Sequence, residues 1–180
     1  MLKRFPLSAK LVLALAFAAA ALLASPSQAA ESLNFNLRSA DGGQITSEML
    51  RGDVVVLAFG SASLPPSLAR RQAQDVQELA DEFAPRDVRV YWVSTDSDSP
   101  KSKSYAADAD LRAFARKYGL KIAVLRDPEG ALFKRTGVDQ LPAVVIINRE
   151  GEMAGEPIGG LGPRGSLLER LTPRLNELLK

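Results

Sequence analysis

Three serines and two prolines stand where this chain has the residue types for a site: Ser61, Ser63 and Ser67, set around Pro65-Pro66. Six apolar residues, 54–59, run into Gly60-Ser61-Ala62-Ser63, and a long helical pattern begins just after Leu64. A β-branched apolar run ended by Gly and Ser reads as a strand buried on both faces. Proline fits the first turn of a helix, so Pro65-Pro66 opens the helix rather than breaking it. Strand, tight loop and helix start expose backbone N–H groups and the positive end of a helix dipole. Serines there can hold an anion or satisfy nearby backbone groups as caps and turns. The three serines are expected to act as caps and turn closures.

Other chemistry is excluded by composition. The chain has no Cys and no His. Thiol–disulfide exchange needs a thiolate, so no such step can occur on this chain. Ser/His and Cys/His nucleophile systems fall by the same count, as do zinc, haem and copper sites built from those ligands. Asp96, Asp98, Asp108 and Asp110 resemble a calcium-binding run. An EF-hand loop needs Gly at its sixth position and Glu at its twelfth, and counted from Asp96 those are Lys101 and Ala107. No metal and no cofactor is expected, and no carboxylates fall at a spacing that forces acid–base work. Tyr91 and Trp92 lack the surrounding Lys and Arg of a nucleic-acid stacking platform and read as packing residues.

At 180 residues the chain fits one domain plus a short extra segment. Residues 1–29 read as a signal peptide. Lys3, Arg4 and Lys10 form the charged region, residues 11–24 are apolar but short for a membrane span, and Ser27-Gln28-Ala29 supplies the small residues of a cleavage site. Cleavage after Ala29 would leave a domain over 30–180, periplasmic or secreted, without a stable membrane anchor. It takes away three of the 23 Lys and Arg and none of the 21 Asp and Glu, leaving a net charge of −1. That balance calls for neither nucleic acid nor an anionic membrane.

The elements that must position the serine–proline loop follow in order. Residues 33–37 alternate as a half-buried strand, Asp41-Gly42-Gly43 turns, and 44–46 return. Ser47 is expected to cap a brief helical turn. After the 54–59 strand, a helix over 65–84 buries Ala69, Ala73, Val76, Leu79, Ala80 and Phe83. A second central strand spans 87–94, and a polar loop spans 95–109. Asp110 is expected to cap a helix over 111–118 that Gly119 ends. A short strand at 122–125 and a short helix at 131–136 precede Leu141-Pro142 and an apolar strand over 143–147. A turn at 148–151, a strand at 152–154 and a Leu-striped helix over 163–179 close the chain. Strands alternating with helices imply an α/β domain whose central sheet is mostly parallel, with an antiparallel hairpin at its edge.

On Phe59-Gly60-Ser61, Leu64-Pro65-Pro66-Ser67 and Leu141-Pro142 before an apolar strand, the chain resembles the thioredoxin-like superfamily. Within it, the TlpA-like/redoxin (AhpC/TSA-type) thiol-disulfide oxidoreductases come nearest. Members often read Cys-Pro-Pro-Cys where this chain reads Leu64-Pro65-Pro66-Ser67. The Phe-Gly-Ser and Pro-Pro pieces are also similar to iodothyronine-deiodinase-like proteins, whose reactive selenocysteine or cysteine would fall on Leu64. The resemblance spans 33–180. It implies a thioredoxin-like fold, a central mixed β-sheet flanked by helices with an N-terminal β-hairpin extension. It also implies a cis Pro142 facing the loop. The degenerate redox loop and ligand groove would then comprise Ser61, Ser63, Leu64, Pro65, Pro66, Ser67, Leu141 and Pro142. The expected function is an exported, non-redox module binding a peptide, a protein of the cell envelope or a small ligand, with a backbone edge near Pro142 free for an extended peptide. The alternative implied by the family is oxidoreductase or antioxidant activity, with the thiol supplied by a partner.

Overall fold

The computed structural model describes residues 32–160 and 165–180. The expected signal segment and Pro163 lie outside the described residues. In chain order come β1 (Asn36–Ser39), β2 (Gln44–Thr46), β3 (Val54–Gly60), α1 (Pro66–Phe83), β4 (Val88–Ser94) and α2 (Asp108–Tyr118). They are followed by β5 (Val124–Arg126), α3 (Ala131–Arg135), β6 (Ala143–Ile147), β7 (Ile158–Gly159) and α4 (Leu167–Leu178). One sheet takes the strands in the order β2-β1-β5-β4-β3-β6-β7.

The sheet is mixed, and less parallel than strand–helix alternation implied. Only β3–β4 and β4–β5 pair in parallel; the other four pairings are antiparallel. The connection from β5 to β6 holds only the five-residue helix α3, and β6 returns antiparallel beside β3.

Every residue of β3 is buried, as its unbroken apolar run requires. Its alternate side chains feed two core layers. Val54, Val56 and Ala58 join Trp92, Leu79, Phe83, Leu171 and Leu175 under the long helices. Val55, Leu57 and Phe59 join Leu37, Val93, Leu125, Leu132 and Val145 on the other face. The expected inward stripe of α1 is buried in full, with Gln72 added to it.

Several local details differ from expectation. The first strand starts at Asn36 rather than Leu33. The expected helical turn forms over Glu48–Leu50 with Ser47 as its N-cap, but the Ser47 side chain does not cap it: its hydroxyl accepts the Phe35 N–H at 3.2 Å, while Thr46 Oγ1 takes the Met49 N–H at 3.3 Å. Asp110 is the third residue of α2, and its carboxylate reaches back to the Ala107 N–H at 2.9 Å. The 152–154 strand reduces to single bridges from Ser32 to Glu152 and from Ile147 to Met153, because Asn148 spends its side chain on Glu152 in a tight turn. The edge strand is β7 instead. The last helix starts later than read, at Leu167, where Ser166 and Glu169 exchange side-chain-to-backbone bonds in a capping box.

Candidate functional site

The β3–β6 ladder ends at Phe59 opposite Ala143, so Gly60 and Pro142 leave the sheet side by side. This is the carboxyl end of the parallel strands β3, β4 and β5, where open α/β sheets place their ligands. The Leu141–Pro142 peptide bond is cis, as the resemblance implied. Pro142 is buried and Leu141 half-buried. The Pro142 carbonyl accepts the Gly160 N–H at 2.7 Å. Among the described residues, no hydrogen-bond partner is recorded for the Leu141 backbone.

The loop after β3 is organised from within. Leu64 N–H donates to the Ser61 carbonyl at 3.3 Å, and Ser63 N–H donates to Ser61 Oγ at 3.0 Å. Of the three serines, Ser61 thus closes a turn with its side chain, as read. Ser61 and Ser63 also face an anion, and it belongs to the protein. Asp96, just past the end of β4, is fully buried. Its Oδ1 receives the Ser61 hydroxyl at 2.5 Å and the Ser63 hydroxyl at 3.4 Å. Its Oδ2 receives the Ala62 N–H at 2.7 Å and the Ser94 hydroxyl at 2.7 Å.

The helix start offers less than its dipole promised. Pro65 is the N-cap, with φ −49° and ψ 135°, and Pro66 is the first helical residue; neither has an N–H. Leu68 and Ala69 both donate to the Pro65 carbonyl. Within the first turn this leaves the Ser67 N–H free of an internal partner. Ser67 itself is exposed, as are Pro65 and Pro66. Leu64 is half-buried against the core layer under α1. Leu141 packs on the opposite layer, so the two leucines flank the strand ends from the two faces of the sheet. The structure thus joins Ser61 and Ser63 through Asp96 and leaves Ser67 outside that cluster.

Beneath the loop, Gln72 of α1 donates from Nε2 to the Phe59 carbonyl at 2.8 Å. Gly60 is required here by close approach: a Cβ on it would lie 2.7 Å from the Trp92 ring and nearer still to Gln72 Oε1. The 95–107 loop beside the site is anchored by Arg126, itself only 3 % exposed. Arg126 donates to the Ala106 carbonyl at 2.6 Å and to Asp108 Oδ1 at 2.6 Å, while Asp108 also binds Arg38. The Arg38 guanidinium, seconded by Arg126, holds the Asp108 carboxyl below the usual carboxylate range against the opposing effect of burial. Asp127 accepts the N–H groups of Leu132 and Phe133 at 2.9 and 2.8 Å, and so starts α3. Asp96, Ser94, Arg126 and Gln72 were missed as site residues. Ser94 and Arg126 carried a signal, a polar side chain ending an apolar run of a strand; Asp96 and Gln72 carried none.

The model of the AhpC/TSA family matches residues 28–155. The chain belongs to the AhpC/TSA family. It is 24 % identical over 150 residues to the thiol-disulfide oxidoreductase ResA of Halalkalibacterium halodurans, covering 83 % of this chain and 76 % of that protein. Among solved structures, a putative thiol:disulfide interchange protein DsbE from Chlorobium tepidum aligns with a TM-score of 0.68 at 20 % identity, over 84 % of this chain and 97 % of that one. A secreted Mycobacterium tuberculosis disulfide oxidoreductase aligns with a TM-score of 0.62 at 20 % identity, over 81 % and 97 %. These likenesses show the thioredoxin-like fold. The family's redox step needs a sulfur, and this AhpC/TSA chain has no cysteine to provide one.

Proposed function

We propose that this AhpC/TSA-family chain is a non-redox binding module that works outside the cytoplasm. Its groove lies between the loop after β3 and the Leu141–Pro142 segment and takes an extended peptide or a small ligand. One observation carries the reading: the loop and its neighbouring Pro are held by internal bonds, while the positions that the family resemblance assigns to reactive sulfur hold Leu64 and Ser67. A scaffold preserved without its chemistry is suited to recognition. The Leu141 backbone, without a partner among the described residues, supports an extended peptide as ligand, since main-chain groups at a strand end can pair with an added strand. The location is supported by the signal-like residues 1–29 and by the secreted protein among the structural relatives.

Two measurements test the reading. In an insulin-reduction or peroxide-turnover assay the purified protein should be inactive, and turnover above a boiled control would return it to the oxidoreductases. In a pull-down from a periplasmic fraction, followed by titration of the captured peptide, Leu141→Pro should abolish the complex by removing the Leu141 N–H. Equal binding by the wild type and by Leu141→Pro would sink the groove.

A further inference from the structure

We propose that Asp96 decides which ligands the groove can take, by filling from inside the anion site that the loop would otherwise present; this rests on reading the loop as the groove. A carboxylate is acceptor-only, with about four lone-pair directions. Ser61 and Ser63 hydroxyls occupy Oδ1, and the Ala62 N–H and Ser94 hydroxyl occupy Oδ2. Hydroxyls and a main-chain N–H converging just ahead of a helix are the donor set by which proteins hold phosphate, sulfate or carboxylate. Here the set is spent on a side chain that is 0 % exposed.

Two further facts weaken the site for external anions. Pro65 and Pro66 strip two N–H groups from the helix start, and the Pro65 carbonyl takes the Leu68 and Ala69 donors. Asp96 also sets its own negative charge under the loop, against any anion that approaches. What remains for a ligand is the apolar surface of Leu64, Pro65, Pro66 and Leu141, with the exposed Ser67 beside it. The groove therefore disfavours an anionic segment, and Asp96 is its specificity-determining and positioning residue.

The test uses the full chain and formate as the probe. In the wild type, the amide signals of Ala62, Ser63 and Leu64 should show no saturable shift with formate beyond that given by chloride at equal ionic strength. Asp96→Ala should melt at a lower temperature, and formate but not chloride should raise that melting temperature saturably, with the Ala62 and Ser63 amides shifting alongside. A saturable formate shift in the wild type, or a folded Asp96→Ala protein indifferent to formate, overturns the proposal. If Asp96→Ala does not fold even in formate, Asp96→Asn decides, because it keeps the bulk and loses the charge. It should lose hydrogen-exchange protection at Ala62 and Ser63 while Val56 keeps its own, and uniform loss or no loss overturns the proposal. Anion rescue does not depend on any peptide, so rescue without peptide binding would refute the groove alone.

Discussion

At the scale of single residues, close packing under the loop sets the sharpest constraint. Gly60 has no room for a methyl group beside Trp92 and Gln72, and neither neighbour can withdraw, since both are fully buried. Gly60→Ala should cost about 1–3 kcal/mol, the usual range for overpacking, read as a lowered urea midpoint with unchanged slope. A loss below about 0.5 kcal/mol would show that the Trp92 ring can shift. Phe83 is fully buried at the far end of α1, and Phe83→Ala should cost ~3–5 kcal/mol through lost transfer energy plus a cavity. The two changes differ in kind: the first disturbs the site, the second only the core that carries it.

At the scale of elements, the 95–107 loop depends on one buried arginine. Arg126 links β5 to the carbonyls of Ser97 and Ala106 and to α2 through Asp108. Asp108→Asn should destabilise the chain at neutral pH by about 1.5–3 kcal/mol, the range for hydrogen bonds to charged groups. The pH dependence has a definite sign. Arg38, then Arg126, lower the Asp108 carboxyl in the folded state. Its contribution is therefore complete above the unfolded value of about 3.9 and fades as pH falls through the lower folded value. Denaturation midpoints of wild type and Asp108→Asn should stay apart at neutral pH and converge in acid. A gap that stays constant into strong acid would mean that the ion pair contributes nothing. Elements also show what a sequence hides. The α1 stripe was legible because helical spacing marks it directly. Gln72 was not, because its burial depends on a carbonyl of β3 that only the tertiary fold brings within reach. The capping box at Ser166 was legible in principle from Ser-x-x-Glu, but the glycines and Pro163 before it drew the expected helix start upstream.

At the scale of the whole molecule, the fold could be read because many weak landmarks fell in the right order. The same ordering placed the strand–loop–helix of Gly60–Pro66 next to Leu141-Pro142 although they lie far apart in the chain. The carboxylate at the centre of the loop was not legible: Asp96 read as one of four acidic residues in a polar stretch, and its burial follows only from the parallel pairing of β3 with β4. The remaining expectation at this scale concerns the chain as made. Intact mass of protein taken from a periplasmic extract should correspond to residues 30–180; a mass that retains residues 1–29 would refute cleavage after Ala29.

The sheet ends in two very short strands, β2 with three residues and β7 with two. Rows of unpaired N–H and C=O groups on a sheet margin are templates on which one molecule can recruit another, and long flat margins lead toward fibrils. A margin of two or three residues gives an incoming strand too few rungs to hold it. The described domain should accordingly stay dispersed at high concentration rather than pair margin to margin.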